Sequence, residues 1–157
     1  SSYILDELAD IGPPPYIGVT WYAGTKVSYR SRFLHLYKEI PLELIAVLLS
    51  NVDATVLILQ RNSTNSELDR FNECLGRKAH DFGGFDQDLE NMANLLASLD
   101  EYIAVSNTNV HLRAAVGKTS RVLVPFPPEW RWMDAGTEST WYPGTALYRQ
   151  STSGDWS

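Results

Sequence analysis

Two stretches carry residue types at a spacing that could bind an anion. In the first, Trp21-Tyr22-Ala23-Gly24-Thr25 follows an apolar run, and a basic segment with Arg30, Arg32 and Lys38 leads to a helix start at Pro41. Open amides and the dipole at a helix start favour negative charge, and Lys38 adds a full positive one. A solvated basic loop accounts for the same residues. The second stretch is Ser106-Asn107-Thr108-Asn109-Val110-His111, with four short polar side chains where a strand passes into a helix. They can cap that helix or donate to a ligand. His111, about one turn further in, can face the ligand or pack as a core histidine.

Other chemistries find less support. Gly117-Lys118-Thr119 ends like a phosphate-binding loop, but Leu112 stands where its first glycine belongs, and the order runs helix to strand. It reads as a helix C-cap. No G-x-G-x-x-G follows a strand, so the usual dinucleotide fingerprint is missing. Asn62-Ser63-Thr64 fits a glycosylation sequon, a pattern that also arises by chance. Asp86, Asp88 and Glu90 open a helix and read as capping and solvation, and His35 and His80 read as surface residues. No cluster of histidines and carboxylates suggests a metal, and no cofactor is expected.

These stretches need elements to hold them. Tyr16 to Trp21, Ala54 to Leu59, Tyr102 to Val105 and Val122 to Val124 read as buried strands, with Ala79 to Phe82 a weaker one. Helices are predicted over Pro41 to Leu49, Asn65 to Leu75, Asp86 to Leu99 and Val110 to Val116, the last ended by Gly117. Such alternation predicts an α/β, Rossmann-like three-layer sandwich with a mostly parallel sheet. A strand order of 3-2-1-4-5 would bring the Lys38 loop and the Ser106 to His111 turn to one crevice, at the carboxyl ends of neighbouring strands. Residues 1–15, closed by Gly12-Pro13-Pro14-Pro15, read as a linker or remnant ahead of a domain spanning 16–157. From about residue 126 a tryptophan-rich segment is expected to wrap over the sheet, with Leu147 to Arg149 extended.

With 157 residues, 44% of them hydrophobic and 20% charged, the chain suits one folded domain. A net charge of −6 argues against broad nucleic-acid or anionic-membrane binding. No apolar run is long enough to span a membrane. The single Cys74 excludes an internal disulfide and, with no apolar secretory signal at the start, favours a cytoplasmic setting. Charge is unevenly placed: residues 16–38 hold four bases and no acid, and a second basic cluster, Arg113 to Arg131, is broken only by Glu129.

Strand-Trp21-Tyr22-Ala23-Gly24, Lys38-Glu39-Ile40-Pro41-Leu42 and Ser106 to His111, followed by Leu112, Ala114, Ala115 and Gly117, resemble the carboxyl-terminal half of heptosyltransferase-like glycosyltransferases. Pro127-Pro128-Glu129-Trp130-Arg131-Trp132, Trp141-Tyr142-Pro143 and Tyr148-Arg149-Gln150 resemble the form of that half at the end of bacterial tetratricopeptide-repeat proteins. The likeness spans about residues 16–156. It implies the second half of an inverting GT-B enzyme, binding a nucleotide-diphosphate sugar as donor. Lys38, with Arg30 or Arg32, is then expected on the diphosphate. Thr108, Asn109 and the amides opening the helix fall on phosphate or ribose, with Gly24, Thr25 and His111 nearby. Trp130, Arg131 and Trp132 are expected to line the base or an interface.

Ser106 stands where the family usually has aspartate, and Asn107 where it has threonine. The family's catalytic base lies in an amino-terminal half that this chain does not contain, so the chain alone is expected to be inactive. That half and the repeat region are its expected partners. The alternatives are a degenerate module that keeps the fold for interaction, and a free-standing nucleotide-binding protein.

Overall fold

In β1 (Tyr16–Thr20), β4 (Thr55–Ile58) and β6 (Glu101–Val105), almost every residue is buried. Strands with no solvent face need cover on both sides, as in a parallel sheet between helical layers. A computed structural model describes residues 2–24, 38–152 and 154–156. It is an α/β sandwich of that kind. Three further strands, β5 (His80–Asp81), β7 (Arg121–Val124) and β8 (Ala146–Arg149), complete a six-stranded sheet of order β5-β4-β1-β6-β7-β8. All its neighbours pair in parallel. The predicted order therefore holds, and Leu147 to Arg149, expected to be extended, lie in β8, which pairs beside β7 at the sheet edge.

Helices α2 (Leu42–Ser50) and α3 (Asn65–Leu75) cover one face. Their core joins Ile45, Leu49, Phe71 and Leu75 to Val19, Val56 and Val105 of the sheet. On the opposite face lie α4 (Leu89–Ser98) and α5 (Thr108–Ala115), around Met92, Leu96, Tyr102, Val110 and Val122. Gly18 of β1 lets α4 settle closely, because a Cβ there would come within 2.7 Å of Leu99 Cδ1.

Local signals explain the boundaries. Thr64 forms a capping box with Glu67 at the start of α3. The sequon Asn62-Ser63-Thr64 thus has a structural use. Asp88 accepts from the amides of Glu90 and Asn91 and caps α4, as its position predicted. Helix α4 begins at Leu89 rather than Asp86 because a 3-10 turn occupies Gly83–Gln87. Gly117, at φ +77°, takes the left-handed turn after α5, so Gly117-Lys118-Thr119 is a helix exit.

Three expectations are corrected. Residues 2–11 are not linker: Ser2–Ile11 forms α1, which places Ile4 and Leu8 in the same core as α4. Ile4, Leu8 and Ile11 fall on one helical face, and burying them holds the segment to the domain. Lys38 is not in an open loop either. Lys38–Glu39 is β3, paired antiparallel with β2 (Tyr22–Ala23), Lys38 opposite Ala23. Pro41 precedes α2 as its N-cap residue instead of opening its first turn. Among the described residues, no helix is long and apolar enough to cross a membrane.

Candidate functional site

The sheet order reverses between β1 and β6, and a cleft of about 690 Å³ opens there beyond their carboxyl ends. Lys38, Gly24 and Ala23 line one side, and Ser106, Asn107, Thr108, Asn109 and His111 the other. The structure therefore brings together the two stretches that the sequence marked. Thr25, Arg30 and Arg32, with His35, lie outside the described residues.

The Ser106 side is built from the strand-to-helix junction upward. Asn107 caps α5, its Oδ1 accepting from the amides of Asn109 (2.7 Å) and Val110 (3.4 Å). Those two amides are thereby engaged within the protein, which corrects the expectation that they stand open for phosphate. Asn107 Nδ2 donates to Val105 O at 2.8 Å and to the Tyr102 hydroxyl at 3.2 Å. That hydroxyl also meets Thr20 Oγ1 at 2.8 Å. Burial pushes the Tyr102 phenol well above its ordinary range, so it stays a neutral donor and acceptor. The network ties the ends of β1 and β6 to the start of α5.

A third strand end contributes a group that sequence reasoning missed. Gln60, buried just after β4, accepts from the amides of Trp21 (3.0 Å) and Tyr22 (2.9 Å) and also lines the cleft. Strand order was the available signal, because β4 neighbours β1 and its end must reach the same crevice.

Glu129 was missed as well. Its Oε1 accepts from Lys38 Nζ at 2.8 Å, and its Oε2 from Ser106 Oγ at 2.8 Å. One carboxylate thus joins the two marked stretches. Burial opposes its charge, but the hydrogen bonds from Lys38 and Ser106 and the charges of Lys38 and Arg131 outweigh that cost. The carboxyl therefore sits below its ordinary range. The signal in the sequence was its isolation as the one acid within the second basic cluster.

His111 turns out to serve both of its readings, since it lines the cleft and is also packed. Its ring lies nearly parallel to Trp132, at 6.1 Å and 8°, and its Nδ1 meets the Tyr142 hydroxyl at 2.7 Å. Of the three expected lining residues, only Arg131 borders the cleft. Trp132 is buried in the core, whereas Trp130 is 68% exposed and meets Trp141 edge to face at 6.1 Å. The 3-10 turn Trp130–Trp132 sends successive side chains in different directions, so the three cannot share one wall.

Burial, then the nearby charge of Arg131 and of Lys38, holds the His111 imidazole below its ordinary range, with Glu129 opposing. The fold therefore favours the neutral ring, while the unfolded chain titrates near about 6.5. Between that value and the lower folded one, the unfolded state binds more protons. Stability conferred by neutral His111 is complete above the window and is lost as pH falls through it. His111→Asn is expected to flatten this part of the pH dependence of urea midpoints. An unchanged slope would show that the fold does not depend on the neutral imidazole.

No family model matches the chain, and no curated protein matches it. Among the described residues, no three His, Cys, Asp or Glu side chains are grouped to hold a metal ion.

Proposed function

We propose that the cleft binds a nucleotide-diphosphate sugar, and that the chain is the donor-binding half of an inverting, GT-B-type glycosyltransferase. One observation carries this reading: a cation, Lys38, and a row of neutral hydroxyl and amide side chains meet across the switch point of a 3-2-1-4-5-6 parallel sheet. A diphosphate needs a cation, and ribose and sugar hydroxyls need paired donors and acceptors. Lys38 serves the first need, and Ser106, Thr108 and Asn109 serve the second. Arg131 at the rim adds positive charge. The catalytic base comes from a separate amino-terminal half, so the chain alone binds donor without transferring sugar.

Titration with UDP-glucose, ADP-glucose and GDP-mannose tests this. A ligand at 100 times its Kd is expected to add about 2.7 kcal/mol, or about 5–10 °C in Tm. Lys38→Ala removes a charged donor worth about 1.5–3 kcal/mol and is expected to weaken binding about 10- to 100-fold by calorimetry. Unchanged affinity in that variant would remove Lys38 from the site. A second reading, a module kept for protein interaction, draws on an apolar stripe of α2 in which Leu44, Val47 and Leu48 are exposed. Absence of a shift with all three ligands would favour it.

A further inference from the structure

The ammonium that a diphosphate needs is already occupied. Lys38 Nζ is held by Glu129 Oε1 at 2.8 Å, and Ser106 Oγ holds the other carboxylate oxygen at 2.8 Å. Lys38 and Ser106 both line the cleft, one on each side. Glu129 comes from the irregular segment between β7 and β8, just ahead of the Trp130–Trp132 turn, so it reaches the site from outside both marked stretches.

We infer that Glu129 is a built-in anion that competes with phosphate for Lys38, and that a diphosphate takes over the ammonium more readily once Glu129 has gained a proton. This rests on the diphosphate reading of the cleft. A phosphate oxygen and the Glu129 carboxylate on the same ammonium would lie within about 5 Å of each other, where like charges repel. Protonation relieves the repulsion. A proton from solvent binds Glu129 Oε1, the contact to Lys38 opens, and the ammonium turns to the incoming phosphate. The carboxyl changes from acceptor to donor, while Ser106 Oγ keeps its contact with the other oxygen.

The charged groups facing Glu129 are Lys38 of β3, Arg131 of the 3-10 turn and His111 of α5. Near neutrality the charges of Lys38 and Arg131 both favour the ionised carboxylate of Glu129. His111 is neutral there and gains charge only on acidification, which also favours an anion. Glu129→Gln separates the two effects, because it removes the carboxylate and leaves His111 in place.

The test is calorimetry of the whole chain with UDP-glucose, ADP-glucose and GDP-mannose, whose diphosphates are diesterified and do not titrate near neutrality. Wild-type affinity is expected to change little just below pH 8 and to rise, with proton uptake on binding, as pH is lowered into the carboxyl range where Glu129 titrates. Glu129→Gln is expected to bind about tenfold more tightly at pH 8, the change that one pK unit of like-charge repulsion represents. It is also expected to lose the proton uptake, apart from any share due to His111. Glu129→Ala should tighten binding in the same direction, which guards against a contact peculiar to the amide. Equal or weaker binding by both variants, with the wild type still bound and sensitive to Lys38→Ala, would overturn the competition and leave the diphosphate reading standing. If neither the wild type nor the variants bind any of the three, both readings fall together.

Discussion

Trp132→Ala is expected to destabilise the fold by about 3–5 kcal/mol, the usual cost of deleting a buried tryptophan side chain. Trp132 is fully buried, although it sits in a segment with little regular structure. It joins Met92, Leu96, Val110 and Leu147 in the α4/α5 core and carries the rings of His111 and Tyr142 on its surface. Its indole Nε1 has no hydrogen-bond partner among the described residues, so the loss is one of packing. Trp132→Phe, which keeps an aromatic ring, is therefore expected to cost only a fraction as much. Urea midpoints at constant m-value measure both. A loss below about 1 kcal/mol for the alanine variant would mean that the segment does not pin the domain.

Arg113→Ala is the second large effect, expected at about 3–5 kcal/mol. Arg113 is a buried cation that donates to backbone oxygens: to Leu96 O, to Leu99 O and Asp100 O at 3.2 Å, and to Thr119 O at 2.6 Å. Leu96, Leu99 and Asp100 lie at the end of α4, where carbonyls lack helical partners and the dipole favours a cation. Burial lowers the guanidinium's affinity for its proton, and Glu101, Tyr102 and Asp100 pull it back up. Removing the side chain takes this donor from the buried carbonyls of Leu96 and Leu99. Arg113→Lys keeps the charge but not the planar fork, and is expected to recover part of the loss. Equal stability for the alanine and wild-type chains would show that water can replace the guanidinium.

Much of the sheet was legible because β1, β4 and β6 are covered on both faces and so appear as unbroken apolar runs. The site was legible where chemistry coincides with an element boundary. Ser106 to Asn109 stand out because a strand ends and a helix begins there, and a polar run at that place needs an explanation. Glu129 stayed hidden because its partner Lys38 is 91 residues away and its own segment has no period to read. Helix α1 was hidden for a different reason. The prolines after it mimic a linker, and only packing against α4 reveals that Ile4 and Leu8 belong to the core. Consecutive aromatics misled in the same way at Trp130 and Trp132, where a 3-10 turn rather than composition decides which one is buried.

The parallel ladder has a consequence for the order in which the molecule assembles. The central strand pairs far along the chain on both sides: Ile17 lies beside Val56 on one side and Glu101 on the other. The Tyr16 amide donates to Asp100 across 84 residues. Such long closures make folding slow, because chain entropy is spent before the contacts can repay it. The cleft sits where these distant strands meet, so it comes into being only when both halves of the chain have closed. A molecule that recognises it therefore selects finished copies, and adding one during refolding should raise the final yield without hastening the earliest steps.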